Sequence, residues 1–251
     1  MSLSLIILIG VLALIAPHIV GPILVYLKLS FPLYREFYSL SADEIASCTD
    51  ADFGRCSAGV AALGFTPVEN LQSISHGSKI FTTIFYNFST LEMATVTEIC
   101  SFRNENGTPT CVQFVEYASS FEDDLEVNTN NSSQLGVFHP IPERQNRSLP
   151  TVRDPADLYA IHRALTTVIA TPKKPLPQGT IEEELQIEWG KTLRRQNELG
   201  YFRFEPSDSL LRPTAKGAIM MSWKLIWPVG AIRRWNDRSQ SKRLTRTVLG
   251  R

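Results

Sequence analysis

Apolar side chains dominate the start of the chain, and their pattern predicts the first element. Residues 2–27 (SLSLIILIGVLALIAPHIVGPILVYL) carry no charged side chain, and the first charge is Lys28. An apolar run of about eighteen residues or more is a candidate transmembrane helix. We therefore predict a membrane anchor over residues 1–30, kinked at Pro17 and Pro22. A cleaved secretory signal is the alternative, but this stretch lacks a basic start, is roughly twice as long as a signal core and has no clear cleavage site.

The next stretch, residues 31–64, predicts an interfacial collar followed by a short helix. Residues 28–40 combine four aromatic with two basic side chains, a composition typical of the headgroup region of a bilayer. Ser41 and Glu44 have the spacing of a capping box. Apolar side chains repeat at helical spacing from Asp52 to Leu63, so we expect an amphipathic helix there.

Residues 65–150 change to the two-residue period of β-strands. Asn106-Gly107 predicts a hairpin turn, and a further candidate strand lies around Leu125–Thr129. We predict an antiparallel β-meander of about four or five strands with one buried face. A proline-rich loop over residues 138–150 follows its last strand. Its three clearest strands cover residues 79–87, 91–102 and 110–117.

Residues 151–212 predict a helical and hairpin subdomain. Asp154-Pro155 is typical of a helix start, with Asp154 as the N-cap and Pro155 as the first helical residue. Proline is tolerated there because its missing N–H group would have no partner within the helix. A second capping-box pattern, Thr180–Glu183, opens a longer helix. Residues 201–212 then have the apolar flanks and polar centre of a short β-hairpin.

The last stretch, residues 213–251, combines an apolar helix with a basic tail. Residues 215–232 are interrupted by two lysines, so we predict an amphipathic helix at the membrane surface rather than a second span. Residues 233–251 carry seven basic residues and one acidic residue. This positive charge favours contact of the tail with an anionic membrane leaflet. The predicted membrane contacts are Trp223, Trp227, Trp235, Arg233 and Arg234.

Together these stretches predict an α+β protein, and its composition agrees. Of its 251 residues, 43% are hydrophobic and 20% are charged, with a net charge of zero, which excludes a disordered or collagen-like chain. Lys28 and Arg35 follow the anchor, so we predict a single-pass membrane protein with a cytoplasmic body. In that compartment we expect free thiols, and disulfides only if the body lies outside. The four cysteines are Cys48, Cys56, Cys100 and Cys111.

The sequence contains no motif typical of a cofactor, metal or catalytic site. Metal-binding H-E-x-x-H, G-x-S-x-G and phosphate-binding glycine loops are all missing. We therefore predict no cofactor and a membrane-anchored, non-enzymatic module that binds lipid or a protein partner, with its oligomeric state left open. The alternative is a membrane-bound hydrolase that pairs His76 or His139 with Asp123 or Asp124. His162 is predicted to be structural.

One segment resembles a known family. Residues 181–217 run from a helix through Gly200-Tyr201 and a hairpin to Leu211-Arg-Pro-Thr-Ala-Lys-Gly217, which is similar to the recognition-helix-to-wing passage of winged-helix domains. The resemblance implies a second alternative, a membrane-tethered regulator with Lys191, Arg194 and Arg195 on an exposed helix face. The helix begins with acidic side chains, whereas DNA binding needs a basic face. Nucleic-acid binding is therefore not expected.

Overall fold

The computed structural model describes residues 2–75, 77–101, 110–177, 179–205 and 209–251, with residues 3, 7, 8 and 10–14 described by their backbone alone. It contains both helices and two β-sheets, which confirms the predicted α+β class. The chain divides into two compact units. The helical unit comprises Met1–Tyr34, Gln134–Pro140 and Leu185–Asn236, and the sheet unit comprises Arg35–Ser133, Ile141–Glu184 and Asp237–Arg251.

Helices and strands are interspersed along the chain. The helices are α1 (Leu3–Lys28), α2 (Ala42–Cys48), α3 (Ala51–Ala62), α4 (Pro155–Thr166), α5 (Ile181–Glu198), α6 (Ala215–Leu225) and α7 (Val229–Leu249). The strands are β1 (Phe31–Pro32), β2 (Phe37–Ser39), β3 (Thr66–Ser75), β4 (Ser78–Asn87), β5 (Glu92–Ser101), β6 (Thr110–Ser120), β7 (Glu126–Asn130), β8 (Arg144–Ser148), β9 (Phe202–Glu205) and β10 (Leu210–Pro213).

A seven-stranded sheet in the order β2-β3-β4-β5-β6-β7-β8 forms the sheet unit. Strands β3 to β7 form the predicted antiparallel meander. Its buried face packs against α3 and α4 around side chains that are fully or almost fully buried: Val60, Phe65, Val96, Val115, Leu158 and Ile161. The predicted turn at Asn106-Gly107 lies outside the described residues, although the strands on either side of it pair as expected.

Local capping signals correctly place the helices of the sheet unit. Ser41 and Glu44 form the predicted capping box at the start of α2. The Asp154 carboxylate accepts hydrogen bonds from two main-chain amides at the start of α4, and Asp50 does the same for α3. These side chains satisfy amides that have no partner within the helix, which is why they mark helix starts in the sequence.

Three parts of the sheet unit differ from the sequence prediction. Strand β2 comes from the stretch predicted as a collar and pairs with β3. Strand β8 comes from the stretch predicted as a loop and runs parallel to β7. The basic tail is helical, and Leu244, Val248 and Leu249 near its end pack against the core of the sheet unit. Strand β8 and most of the tail are polar in sequence, and β2 is only three residues long, so only tertiary partners reveal their structure.

The helical unit is built around a small sheet in the order β1-β10-β9. The hairpin of β9 and β10 confirms the prediction for residues 201–212. Phe31 is only 7% exposed and packs with Trp189, Phe202 and Leu211 in the core of this unit. Phe31 was assigned to a headgroup collar, and its burial corrects that assignment because a core side chain cannot reach a bilayer surface.

The predicted N-terminal helix forms as α1, Leu3–Lys28, and contains both prolines. Within the described part of the chain, however, no helix has the length and apolar character needed to cross a bilayer. The predictions of a transmembrane helix and a single-pass protein are therefore without support.

Candidate functional site

The predicted membrane-contact residues lie in the helical unit, on α6, the start of α7 and the segment between them. Residues 215–232 were predicted as one helix, but the chain breaks between α6 and α7, because Pro228 has no amide to continue the helical hydrogen bonding. Trp223 is 50% exposed, Trp227 is 64% exposed and Trp235 is 68% exposed. These three rings with the exposed Ile219 and Ile232 are called the tryptophan surface below.

Helix α6 exposes large apolar side chains to solvent. Its buried residues are Gly217, Ala218, Met221 and Ser222, whereas Ile219 and Trp223 are exposed. A helix at the surface of a soluble domain normally places polar side chains on its exposed face. Contiguous exposed apolar surface in a folded protein usually marks an interaction site.

A glycine fixes the start of α6 against the preceding turn. A Cβ atom at Gly217 would lie 1.8 Å from the main-chain oxygen of Tyr201, so no other residue fits without a shift of the backbone. The side chain of Lys216 donates to the Leu199 carbonyl and lies over the ring of Tyr201. Thr214 caps the helix by accepting a hydrogen bond from the amide of Gly217. These contacts determine which face of α6 is exposed.

Helix α1 packs beside α6 in the same unit and also exposes apolar side chains. Its described exposed residues include Ile19, Ile23, Leu24 and Leu27, each more than half exposed. Helix α1 therefore adds a second set of exposed apolar side chains to the helical unit.

Cationic groups accompany the tryptophan surface. The ammonium group of Lys224 donates to the carbonyls of Val137 and Phe138. Burial, together with the charge of Arg233, lowers the pKa of Lys224 to about 8. Arg233 donates to the Gly136 carbonyl and is half-buried, whereas Arg234 is exposed. Of the two predicted arginine contacts, Arg234 is therefore the more accessible.

The residues suggested for a hydrolase make other contacts. The ring of His139 stacks on Tyr201 with ring centroids 5.2 Å apart, and its Nδ1 lies 2.9 Å from the Pro140 oxygen. Asp123 accepts hydrogen bonds from the Leu125 amide and the Thr171 hydroxyl. Asp124 forms an ion pair with Lys174. His76 lies outside the described residues.

A buried serine–histidine pair lies in the sheet unit and involves none of the residues that the sequence suggested for a hydrolase. The hydroxyl of Ser119 on β6 is 2.9 Å from Nε2 of His162 on α4. Nδ1 of His162 is 3.0 Å from the hydroxyl of Thr129. All three side chains are fully buried. A nucleophile and base need a substrate within reach, so full burial favours a structural role for this pair.

A buried carboxylate, Glu92, completes this network. It accepts hydrogen bonds from Tyr159, Thr90 and Lys173, and its Oε1 lies 3.4 Å from the Ser119 hydroxyl. Burial raises the pKa of Glu92, but these hydrogen bonds outweigh that effect and leave the pKa below its ordinary value. A buried charge of this kind is tolerated because it is paired and fully hydrogen-bonded.

The cysteines correct one prediction. Cys100 and Cys111 face each other on β5 and β6 and form a disulfide with Cα atoms 4.1 Å apart. The expectation of free thiols is wrong for this pair and holds for Cys48 and Cys56. Glu98 lies close to both disulfide sulfurs, but disulfide-bonded sulfurs are not the thiolates that bind metal ions.

The segment that resembles a winged helix forms the expected succession of α5, hairpin and α6. Two of its basic side chains are paired within the helix, Lys191 with Glu188 and Arg195 with Glu198. Arg194 is exposed. Comparison with known proteins assigns no family, because no protein-family model, curated protein or solved structure matches the chain.

Proposed function

We propose that this protein is a non-enzymatic module that attaches to the surface of a lipid bilayer. The contact is the tryptophan surface of the helical unit. The observation that carries this proposal is the exposure of Trp223 on α6, of Trp235 on α7 and of Trp227 between the two helices, each half exposed or more. An indole ring has an apolar body and one N–H donor, and it is favoured where a bilayer meets water.

Charge supports the same assignment. Arg234 is exposed next to Trp235, and Arg233 precedes it in the first turns of α7. A basic side chain close to an anionic leaflet contributes about 1 kcal/mol to attachment. The tryptophan rings then bury apolar area at the headgroup boundary, as in helices that lie in the membrane plane.

Co-sedimentation of the purified full chain with vesicles tests the proposal. We expect binding to vesicles of phosphatidylcholine with phosphatidylserine, and weaker binding to phosphatidylcholine alone. Tryptophan emission should shift to shorter wavelength on binding. Because Trp189 is already buried, that shift reports the three exposed rings.

Two sets of variants locate the contact. Replacing Trp223 and Trp227 together by glutamine should weaken binding to both vesicles by about tenfold or more. The matched control is Phe88→Gln, which removes a side chain that is 63% exposed in the sheet unit and should leave binding unchanged. Arg234→Gln should weaken binding about fivefold to anionic vesicles only.

Two outcomes would contradict the proposal. One is a double tryptophan variant that binds as well as the wild type. The other is a wild-type chain that binds neither vesicle, in which case the surface is the interface for a protein partner.

A further inference from the structure

The sheet unit brings one carboxylate and two cysteine sulfurs together on one face of β5 and β6. Glu98 and Cys100 are two residues apart on β5, so their side chains point to the same face of the sheet. Strand register places Cys111 of β6 opposite Cys100. A carboxylate oxygen of Glu98 and the two sulfurs all lie within 4.8 Å of one another. Three ligand atoms this close together are near enough to share one metal ion.

The carboxylate of Glu98 is buried without a positive partner. The residue is 2% exposed, and no lysine, arginine or histidine among the described residues forms an ion pair with it. Glu98 accepts hydrogen bonds from the side-chain amide of Gln113 and the main-chain amide of Asp50. The other buried glutamate, Glu92, is paired with Lys173. A buried carboxylate is costly unless a cation accompanies it, so Glu98 indicates a cation that no described side chain supplies.

The two sulfurs become metal ligands when the disulfide is reduced. Cys111 is exposed, so the bond is accessible from solvent to a dithiol reductant. The dithiol gives two electrons and two protons to the S–S bond and becomes a disulfide itself. Cys100 and Cys111 are then thiols on facing strand positions. In the disulfide form the sulfur of Cys100 already lies 3.3 Å from Oε1 of Glu98.

The donor set restricts the class of metal. Calcium and magnesium bind oxygen ligands, whereas two of the three groups here are sulfurs. Zinc binds cysteine sulfur and carboxylate oxygen in one tetrahedral site. Three protein ligands leave the fourth position of the zinc ion for a water molecule, and the exposure of Cys111 gives that position access to solvent.

We propose that the reduced sheet unit binds one Zn²⁺ ion through the thiolates of Cys100 and Cys111 and the carboxylate of Glu98. Binding displaces the two thiol protons, which pass to water. The disulfide and the zinc complex are therefore alternative states of the same cysteine pair, and reduction selects between them. The site belongs to the sheet unit alone and does not depend on attachment to a bilayer.

Zinc titration of the purified full chain tests the site. The protein is reduced with a phosphine, which is then removed under nitrogen, and the zinc affinity is measured by competition with a chromogenic chelator. The reduced wild type should bind one zinc ion at least about a hundredfold more tightly than the disulfide form. Co²⁺ added to the reduced protein should give a thiolate-to-cobalt charge-transfer band that Zn²⁺ removes. Equal zinc affinity in the two forms would show that the cysteine pair is not a ligand.

Three variants identify the ligands in the reduced protein. Glu98→Gln keeps the shape of the side chain without its charge and should weaken zinc binding at least about tenfold. The matched control is Glu122→Gln, which changes an exposed carboxylate of the same unit and should retain the affinity within about twofold. Replacing Cys48 and Cys56 together by serine removes the two free thiols and should also leave the affinity unchanged. Wild-type affinity in Glu98→Gln would exclude the carboxylate, and loss of binding in the double serine variant would place the ion at other thiols.

Thermal melting gives an independent readout of the same site. A ligand that binds only the folded chain raises the melting temperature. Zinc should raise the melting temperature of the reduced wild type and leave those of the disulfide form and of Cys100→Ser unchanged. An unchanged melting temperature of the reduced wild type would refute the proposal. Vesicle binding by Glu98→Gln should remain normal, so that failure of the zinc site and failure of the membrane contact can be told apart.

Discussion

Protonation of His162 should make the sheet unit unstable in mild acid. The imidazole is fully buried between the hydroxyls of Ser119 and Thr129. Burial lowers its pKa from 6.5 to about 4. The carboxylate of Glu92 opposes this shift, and the cations Lys173 and Arg163 reinforce it.

The sign and size of the effect follow from the two pKa values. The unfolded chain takes up a proton near pH 6.5, whereas the folded chain keeps the imidazole neutral until about pH 4. The stabilisation is therefore present above the unfolded pKa and is lost as the pH falls through this window. One pKa unit corresponds to about 1.4 kcal/mol, so the full loss is about 3 kcal/mol, with about 2 kcal/mol lost by about pH 5.

Urea unfolding at a series of pH values measures this loss. Far-ultraviolet circular dichroism follows both units, because each contains helices. Tryptophan fluorescence follows the helical unit alone, because all four tryptophans lie in Leu185–Asn236. A dichroism transition without a matching fluorescence change therefore reports the sheet unit. The comparison variant is His162→Gln, which keeps a polar side chain that does not titrate. The dichroism signal should show a drop in stability between about pH 7.5 and pH 5 that is about 2 kcal/mol larger in the wild type than in the variant.

The control is His139→Gln, which removes a histidine of the helical unit and should leave that difference unchanged. Glu92 also lowers stability in acid, because its pKa lies below the ordinary value, but it does so equally in the wild type and in His162→Gln. If the two proteins lose stability in parallel, the buried neutral imidazole is not the cause and the reasoning fails.

Two further experiments test the stability of the two units, one for each unit. Gly217→Ala should destabilise the helical unit by about 3 kcal/mol, because the methyl group would overlap a main-chain oxygen. The control is Gly190→Ala, where the added atom meets nothing within 4 Å, and it should be neutral or stabilising. If both variants change the tryptophan-detected melting temperature equally, this reasoning is wrong. Replacing Cys100 and Cys111 by alanine opens a loop of sequence separation 11 and should cost the sheet unit about 3 kcal/mol in urea unfolding. Cys48→Ala, at an exposed free thiol, should cost little, and a similar loss in both would show that the disulfide does not stabilise the fold.

Local signals were sufficient to predict the helices α2 to α4 and the central strands of the sheet unit, but not β2, β8 or the helical tail. Asp154-Pro155 marks the start of α4, and Ser41 with Glu44 marks the start of α2. Residues typical of β-strands mark β4, and alternating side chains mark β5 and β6. Each of these signals acts within a few residues, because a cap satisfies its own helix and alternation follows from the pleat of a single strand.

The candidate sites could be read from the sequence only in part. The exposed tryptophans were predicted as membrane contacts because they are clustered with arginines in one segment. A groove in the sheet unit could not be predicted, since its walls come from four separate elements, α2, α3, β3 and β4.

The sequence by itself determined the α+β class, the main helices and the antiparallel meander, since these depend on local periodicity and capping. Only the tertiary structure decided the long-range partners. Strand register places Cys100 opposite Cys111, and the packing of α4 on the sheet brings His162 to Ser119. The same applies to the tail, whose basic residues suggested a membrane surface, whereas Val248 near its end packs on the sheet unit. Such contacts join residues far apart in the chain, so no local pattern encodes them.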